Sequence, residues 1–363
     1  MGIKIDVRDL TEILRITPAN QNIMIVGKHG IGKSRIVEAF YTAKKERVVT
    51  FFLGQMSDPG DLIGLMFKDE KTGRSLFMPP YWWPKEGESI VLFLDELNRA
   101  RPEILQSVMD LTLNRTLAGK KLPEGSRIIS AVNEGEEYQL TDLDPALVSR
   151  FNIYEFAPTV QDWMLWADAA NLDKRVIQFI QKNPHFLDGD DKKNAYTDGF
   201  QQSLSKTPDR RAWERVATIV KPYAEISAIL LKIIGGIVGM QAATHFKKSL
   251  GEFLKVTPEQ LLLDFEKYKP QLKKFTVTEL VFLNEQIALW INGSHYKTED
   301  KPLILTHLEM YFAYLKKEKQ NEAIAHFASL LENPKFGKLS GWVLIASPKI
   351  MGVLAEFIKN IQV

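Results

Sequence analysis

The chain of 363 residues predicts an α/β fold, a parallel sheet with helices on both faces, continued by an all-helical part. Three observations carry that prediction. Over the first 158 residues, short β-branched or apolar runs alternate with helical patterns; a glycine-rich loop joins one such run to a helix; and after "FAPT" the strand signals stop. Apolar runs separated by helical stretches are the pattern of strands buried on both faces by crossover helices.

Taken in order, the N-terminus "MGIKIDVRDLTEILR" mixes charged and apolar residues at helical spacing. It lacks the apolar core of a signal peptide, and Asp6 stands where a myristoylation signal needs Ser or Thr. The expected strands are "NIMIVG" (22–27), "RVVTFFLG" (47–54), "SIVLFLDE" (89–96), "SRIISAVN" (126–133) and "NIYEF" (152–156). A boundary falls near Pro158. From Val160 onward the segments read as amphipathic or buried helices, broken at 182–199, 205–211, 255–260 and 292–302 by Gly, Pro, Asn and Asp clusters. The longest apolar run, "ISAILLKIIGGIVGM" (226–240), carries Lys232 and two adjacent glycines and is too short to span a bilayer comfortably, so a buried helix is expected there.

Composition narrows the function classes. Lys and Arg total 47 against 45 acidic residues, and the net charge of +2 makes no overall electrostatic case for nucleic acid or an anionic membrane, although local basic patches remain open. The absence of cysteine excludes disulfides, thiolate metal sites and cysteine nucleophiles, and fits a cytoplasmic protein. The six histidines show no metal-ligand spacing, and Ser57 and Ser205 lack the His-plus-acid pattern of acyl transfer.

The stretch "GKHGIGKS" fits G-x-x-x-x-G-K-[ST], with a strand before it and a helix after it. Glycines let the backbone curl so that successive N–H groups point at one centre, which a nucleotide phosphate can occupy at the helix N-terminus. The phosphate-binding candidates are Gly27, Lys28, His29, Gly30, Ile31, Gly32, Lys33, Ser34 and Arg35. Lys33 would reach the β- and γ-phosphates and the Ser34 hydroxyl would ligate Mg²⁺. His29 reads as a solvated spacer.

Some sixty residues on, "SIVLFLDELNRA" is a buried strand ending in two carboxylates. At the C-terminal edge of a parallel sheet they would face a bound nucleotide. Asp95 would hold the Mg²⁺ shell, and Glu96, not committed to metal, would orient and polarise the attacking water as general base. Together the two motifs predict a nucleoside triphosphatase that uses Mg²⁺.

"DELNRA" resembles the "DE-hydrophobic-NRA" box of MoxR-type AAA+ ATPases, and the similarity extends over roughly residues 20–250. "GQMSDPGDLIGLMF" and "TGRSLFMPPYWW" (within 54–83) are similar to that family's insertion, and "RPEILQSVMDLTLNRTLAGKKLPEGSRIISAVNE" to its helix, β-hairpin and sensor strand. "LDPALVSRF" is similar to the end of the large subdomain, and "TPDRRAWERVA" to the start of the lid helix with the second sensor. The resemblance implies an αβα sandwich at 1–158, a helical lid at 159–250 and a helical C-terminal extension at 251–363. It implies that Asn133 is the first sensor and that Arg150 is an arginine finger acting on a neighbouring subunit's nucleotide, hence a homo-oligomeric ring, most simply a hexamer. Such a finger can contribute roughly 10³–10⁵ in rate. Arg211 aligns with the second sensor through "RAW", but Asp209 and Arg210 intervene after Pro208, so Arg210 stays an alternative. Asn98 and Arg99 are open between a subunit interface and a helix N-terminal role.

The resemblance further implies a chaperone-like function on partner proteins, some of which carry a von Willebrand factor A domain. The 54–83 insertion and the hairpin near 115–124 are the candidate partner-facing surfaces. "YWW" (81–83) reads either as a base-stacking platform or as packing. A nucleic-acid motor with a basic pore of Lys120, Lys121 and Arg127, and a slow nucleotide-gated switch or defence component, stay open as alternatives.

Overall fold

The computed structural model describes residues 2–134, 143–189, 206–250 and 256–361, the side chains of 358–361 excepted. The expectation for Ser205, and residues 190–199 of the break expected at 182–199, fall outside the described residues. The chain divides into two compact units, Met1–Thr159 and Val160–Val363.

In the first unit the strands in chain order are β1 Ile3–Ile5, β2 Asn22–Lys28, β3 Arg47–Phe52, β4 Leu65–Lys68, β5 Ser75–Met78, β6 Ile90–Asp95, β7 Thr116–Leu117, β8 Lys120–Lys121, β9 Arg127–Glu134 and β10 Phe151–Phe156. The helices are α1 Val7–Ile16, α2 Lys33–Ala43, α3 Gly60–Ile63, α4 Pro102–Asn114 and α5 Pro145–Val148. Six strands form one parallel sheet in the order β1-β10-β2-β9-β6-β3, while β4-β5 and β7-β8 are separate antiparallel ribbons. Strand side chains alternate between faces. Met24, Leu92, Leu94 and Ile128 therefore meet Ile104, Val108 and Leu111 of α4 in one apolar cluster. Ile23, Ile25, Val91, Phe93, Ile129 and Ala131 meet Leu10 and Leu14 of α1 and Val37 and Tyr41 of α2 in another. Each such buried Val, Leu, Ile, Phe or Met side chain contributes about 1.5–3 kcal/mol.

Local chemistry fixes the element ends. Asp6 and Asp9 form a reciprocal capping box on α1, and Pro102 opens α4 where a missing N–H costs nothing. Arg115 in the left-handed region ends α4, and the turn between β7 and β8 uses Ala118 and Gly119, both at positive φ. The short strand β1 was not visible in the N-terminal pattern. Three residues show no alternation of their own, and Ile3–Ile5 become a strand only by pairing with Tyr154–Phe156 of β10.

The second unit is helical among its described residues, with one apolar core running from Trp163 to Leu354. Inside it, the Asn284 amide donates to the Ala323 carbonyl at 2.8 Å and accepts from the Tyr311 hydroxyl at 2.8 Å, which joins three helices. The expectation of a buried helix at 226–240 needs correction. The helix is Ala228–Val238, it ends at Gly239 with φ +83°, and it buries only the face of Leu230, Ile234 and Val238, leaving Ile229 and Ile233 exposed. No single helix among the described residues is long and apolar enough to cross a membrane. One pair, Pro334–Ala346 and Pro348–Phe357, matches by length and composition but is bent by 99°, and its Leu339, Val343, Ile350 and Leu354 belong to the core.

Candidate nucleotide site

Three adjacent strands of the sheet, β2, β9 and β6, end side by side, with Gly27 opposite Asn133 in register. The loop from Gly27 to Gly32 turns on Gly30 and Gly32, whose φ values of +77° and +98° are costly for any other residue. Gly27 is needed for a different reason: a Cβ there would lie 2.7 Å from the Phe156 carbonyl oxygen of β10. Helix α2 follows with Gly32 at its N-cap and no side chain capping it. Its first-turn N–H groups are the donors a helix N-terminus offers to an anion, so the loop fits a phosphate group.

The Lys33 side chain is buried beneath that loop. Its ammonium donates to the carbonyls of Gly27 at 2.7 Å and Lys28 at 2.8 Å, and to Asn133 Oδ1 at 2.7 Å. Phosphate oxygens, as charged acceptors, would form stronger bonds than these neutral ones. Beside it the Ser34 hydroxyl donates to Asp95 Oδ2 at 2.6 Å. A hydroxyl and a carboxylate converging at a phosphate loop suit Mg²⁺, which takes few protein ligands and relies on nucleotide phosphates and water. Among the described residues no cluster of three or more metal-ligating side chains exists, so a self-sufficient protein cage for a metal is not offered.

Glu96 adopts φ +57°, uncommon for a side-chain-bearing residue, and its Oε1 accepts from the Arg99 guanidinium at 2.9 Å. The approach is possible because residue 54 is glycine: a Cβ there would lie 2.9 Å from Arg99 Cβ and 3.0 Å from Glu96 Oε2. Asn98 is buried and turns inward, donating to the Asn133 carbonyl at 2.9 Å and accepting from its N–H at 3.4 Å. The Asn98 side chain is thus committed inside the protomer, to the main chain of Asn133. Sequence reasoning missed what Asn98 and Gly54 do, because their partners lie on distant elements.

Lys28, His29 and Arg35 are exposed around the loop, and Ile31 packs toward the α1–α2 side of the sheet. Arg150 is exposed just before β10. Phe151 is opposite Asn22, so Arg150 stands at the end of the sheet remote from the phosphate loop. In the second unit Arg210 and Arg211 open the helix Arg210–Val220. Arg210 is buried and engages Asp188 through Nε at 3.0 Å and Nη2 at 2.8 Å, whereas Arg211 is exposed. Of the "YWW" residues, Trp82 is wholly buried edge-on against Phe51, with ring centres 5.2 Å apart, which is packing; Tyr81 is exposed.

Residues 22–151 match the model of the AAA domain (dynein-related subfamily). The chain is 30% identical over 154 residues to "Putative chaperone BssE" of Thauera aromatica, covering 40% of this chain and 53% of that protein. It is 29% identical over 148 residues to the uncharacterized protein SH1500 of Staphylococcus haemolyticus, covering 38% and 55%. The chain thus spans about half the length of the curated relatives it matches. Among solved structures, NtrX of Brucella abortus in complex with ADP aligns with a TM-score of 0.38 and 14% identity over 82% of this chain and 67% of that one.

Proposed function

We propose, taking the AAA domain at residues 22–151 as the premise, that this chain is a MoxR-type AAA+ ATPase that hydrolyses ATP in a homo-oligomeric ring, most simply a hexamer, to remodel or mature partner proteins. The observation that carries the reading is the convergence of Lys33 with Asn133 and of Ser34 with Asp95 at one edge of the sheet. Lys33 and the loop N–H groups would bind the phosphates, and Ser34 and Asp95 would hold the Mg²⁺ shell. Mg²⁺ would supply charge neutralisation between the phosphates. Asn133 would orient the attacking water and Glu96, once parted from Arg99, would take its proton. Arg211 is the better candidate for the second sensor because it is exposed, whereas Arg210 is buried.

Position supports a finger acting between subunits. From Asn22 to Gly27 the strand advances about 16 Å, so Arg150 starts too far from its own phosphate loop for one side chain to bridge. A protein client is supported by the β4–β5 ribbon, where Leu65, Phe67, Leu76 and Met78 share one face and are all exposed. Exposed apolar clusters mark contacts with proteins more than with phosphate backbones. The β7–β8 hairpin, with exposed Lys120 and Lys121, is the second candidate surface. The partner class that the MoxR resemblance favours is a protein with a von Willebrand factor A domain.

Glu96→Gln tests this. It should retain ATP binding while turnover falls about 10²–10⁴-fold, and the ATP-loaded variant should retain a nuclease-resistant protein partner. Equal turnover in mutant and wild type would remove Glu96 from its role, and nuclease-sensitive capture would replace the protein client with nucleic acid.

A further inference from the structure

The head of β2 carries a polar residue in an otherwise apolar strand. Asn22 is only 6% exposed, and its amide nitrogen donates to two carbonyls at once, Thr112 at 3.0 Å and Arg150 at 3.1 Å. Both acceptors are oxygens, so only the NH₂ end of the amide can face them, and the opposite end, Oδ1, is buried without a hydrogen-bond partner among the described residues. One side chain thereby joins three elements: the strand whose far end becomes the phosphate loop, the last turn of α4, and the main chain of Arg150. Next to it Asn152 Nδ2 donates to Gln21 Oε1 at 2.9 Å, and the Arg150 N–H donates to the Leu147 carbonyl at 3.0 Å. The backbone of Arg150 is therefore held on both sides while its guanidinium is exposed.

We propose that Asn22 is the positioning residue of the Arg150 finger: it fixes the main chain from which the guanidinium is presented to a neighbouring subunit. This rests on the reading of Arg150 as a finger acting between subunits. An exposed arginine on a loose segment would meet a neighbour's γ-phosphate in many orientations, and ångström-scale misplacement of a catalytic group can cost on the order of 10²-fold in rate. Pinning its carbonyl removes that freedom without touching the reacting atoms.

The test uses mixed full-length rings. Lys33→Ala subunits lack hydrolysis but keep a finger; Arg150→Ala subunits keep a pocket but lack the finger; mixing them should restore hydrolysis in the Arg150→Ala pockets. Asn22→Ala is then added to one partner at a time. On the Lys33→Ala donor it should lower the restored rate at least about tenfold, within the range that misplacement produces. On the Arg150→Ala receiver there is no finger left to aim, and the restored rate should stay close to the control. Equal losses in both placements would mean a general structural role, and no loss in either would mean that Asn22 does not position the finger; both overturn the inference. No rescue in the control pair, with mixed rings shown to form, would remove the finger reading itself and the inference with it. Should Asn22→Ala not fold, Asn22→Thr, which suits a strand and keeps a single donor, is read by the same donor-against-receiver asymmetry.

Discussion

In the first unit the buried polar residues Lys33, Asp95, Asn98 and Asn133 meet at one edge of the sheet, where Lys33 and Asn98 both bond Asn133 and Asp95 accepts from Ser34. In the helical unit several buried polar residues, Asn284, Ser249 and Ser347 among them, are each committed to a local contact with a carbonyl or a neighbouring helix. The degree of burial is similar and the arrangement differs. A parallel sheet ends all its strands at one edge, so polar residues placed at successive strand ends necessarily converge. A helical bundle distributes its residues along its axes, and an isolated buried amide there serves to satisfy its surroundings and specify packing. Convergence, more than burial, distinguishes a site from a stitch.

The largest effect that should sharpen this comparison is at Gly27. Gly27→Ala would force a methyl to 2.7 Å from the Phe156 carbonyl, and overpacking of this kind costs about 1–3 kcal/mol. Displacement of the phosphate loop should weaken nucleotide binding by about 10- to 100-fold if that strain falls on the bound state. Titration with a fluorescent ATP analogue would show it, with helix content by circular dichroism unchanged; unaltered affinity would mean that the loop does not depend on this close approach.

A matched pair comes next. Asn98→Ala and Asn284→Ala each strip hydrogen bonds from buried groups and should destabilise by about 1–3 kcal/mol in urea unfolding. Of the two, only Asn98→Ala should also lower kcat, because Asn98 bonds the main chain of Asn133 and Asn284 does not. If Asn284→Ala lowers kcat as much under conditions where both variants are fully folded, the distinction between the two regions breaks.

The smallest effect concerns alkaline stability. Burial in the α1–α2 cluster pushes the Tyr41 hydroxyl from 10.0 up to about 12, against the opposing influence of Arg127. A raised folded-state value means that the unfolded chain ionises first, so this contribution to stability is complete below pH 10 and is lost as pH rises through about 12. Tyr41→Phe should therefore show a shallower decline of urea midpoints above pH 10, while the decline owed to Tyr311 in the helical unit, also raised by burial, persists. An identical slope in mutant and wild type would show that Tyr41 is not the group responsible.

The strand runs, the glycine loop and the Asp95–Glu96 pair were legible because each is local: alternation, turn chemistry and charge fall within ten residues of one another. The roles of Asn98 and Asn22 were not, since their partners stand 35 and 128 residues away. Arg210 and Arg211 are neighbours with the same chemistry, and no spacing argument shows that Arg210 is the buried one, bonded to Asp188 22 residues upstream, and Arg211 the exposed one. The run at 226–240 misled because apolar content reports a tendency to be buried, whereas how much of a helix is covered depends on its neighbours.

By itself the sequence determined the α/β class, the places where strands give way to helices and the local phosphate-loop pattern, because those follow from residue chemistry at short range. Tertiary structure alone decided that β1 exists, which of two arginines is buried, that Gly54 and Arg99 admit the Glu96 carboxylate, and that Asn22 grips the backbone of Arg150. Those are properties of pairs far apart along the chain, and a hydrogen bond or a close approach is specified only when folding has brought both partners to one place.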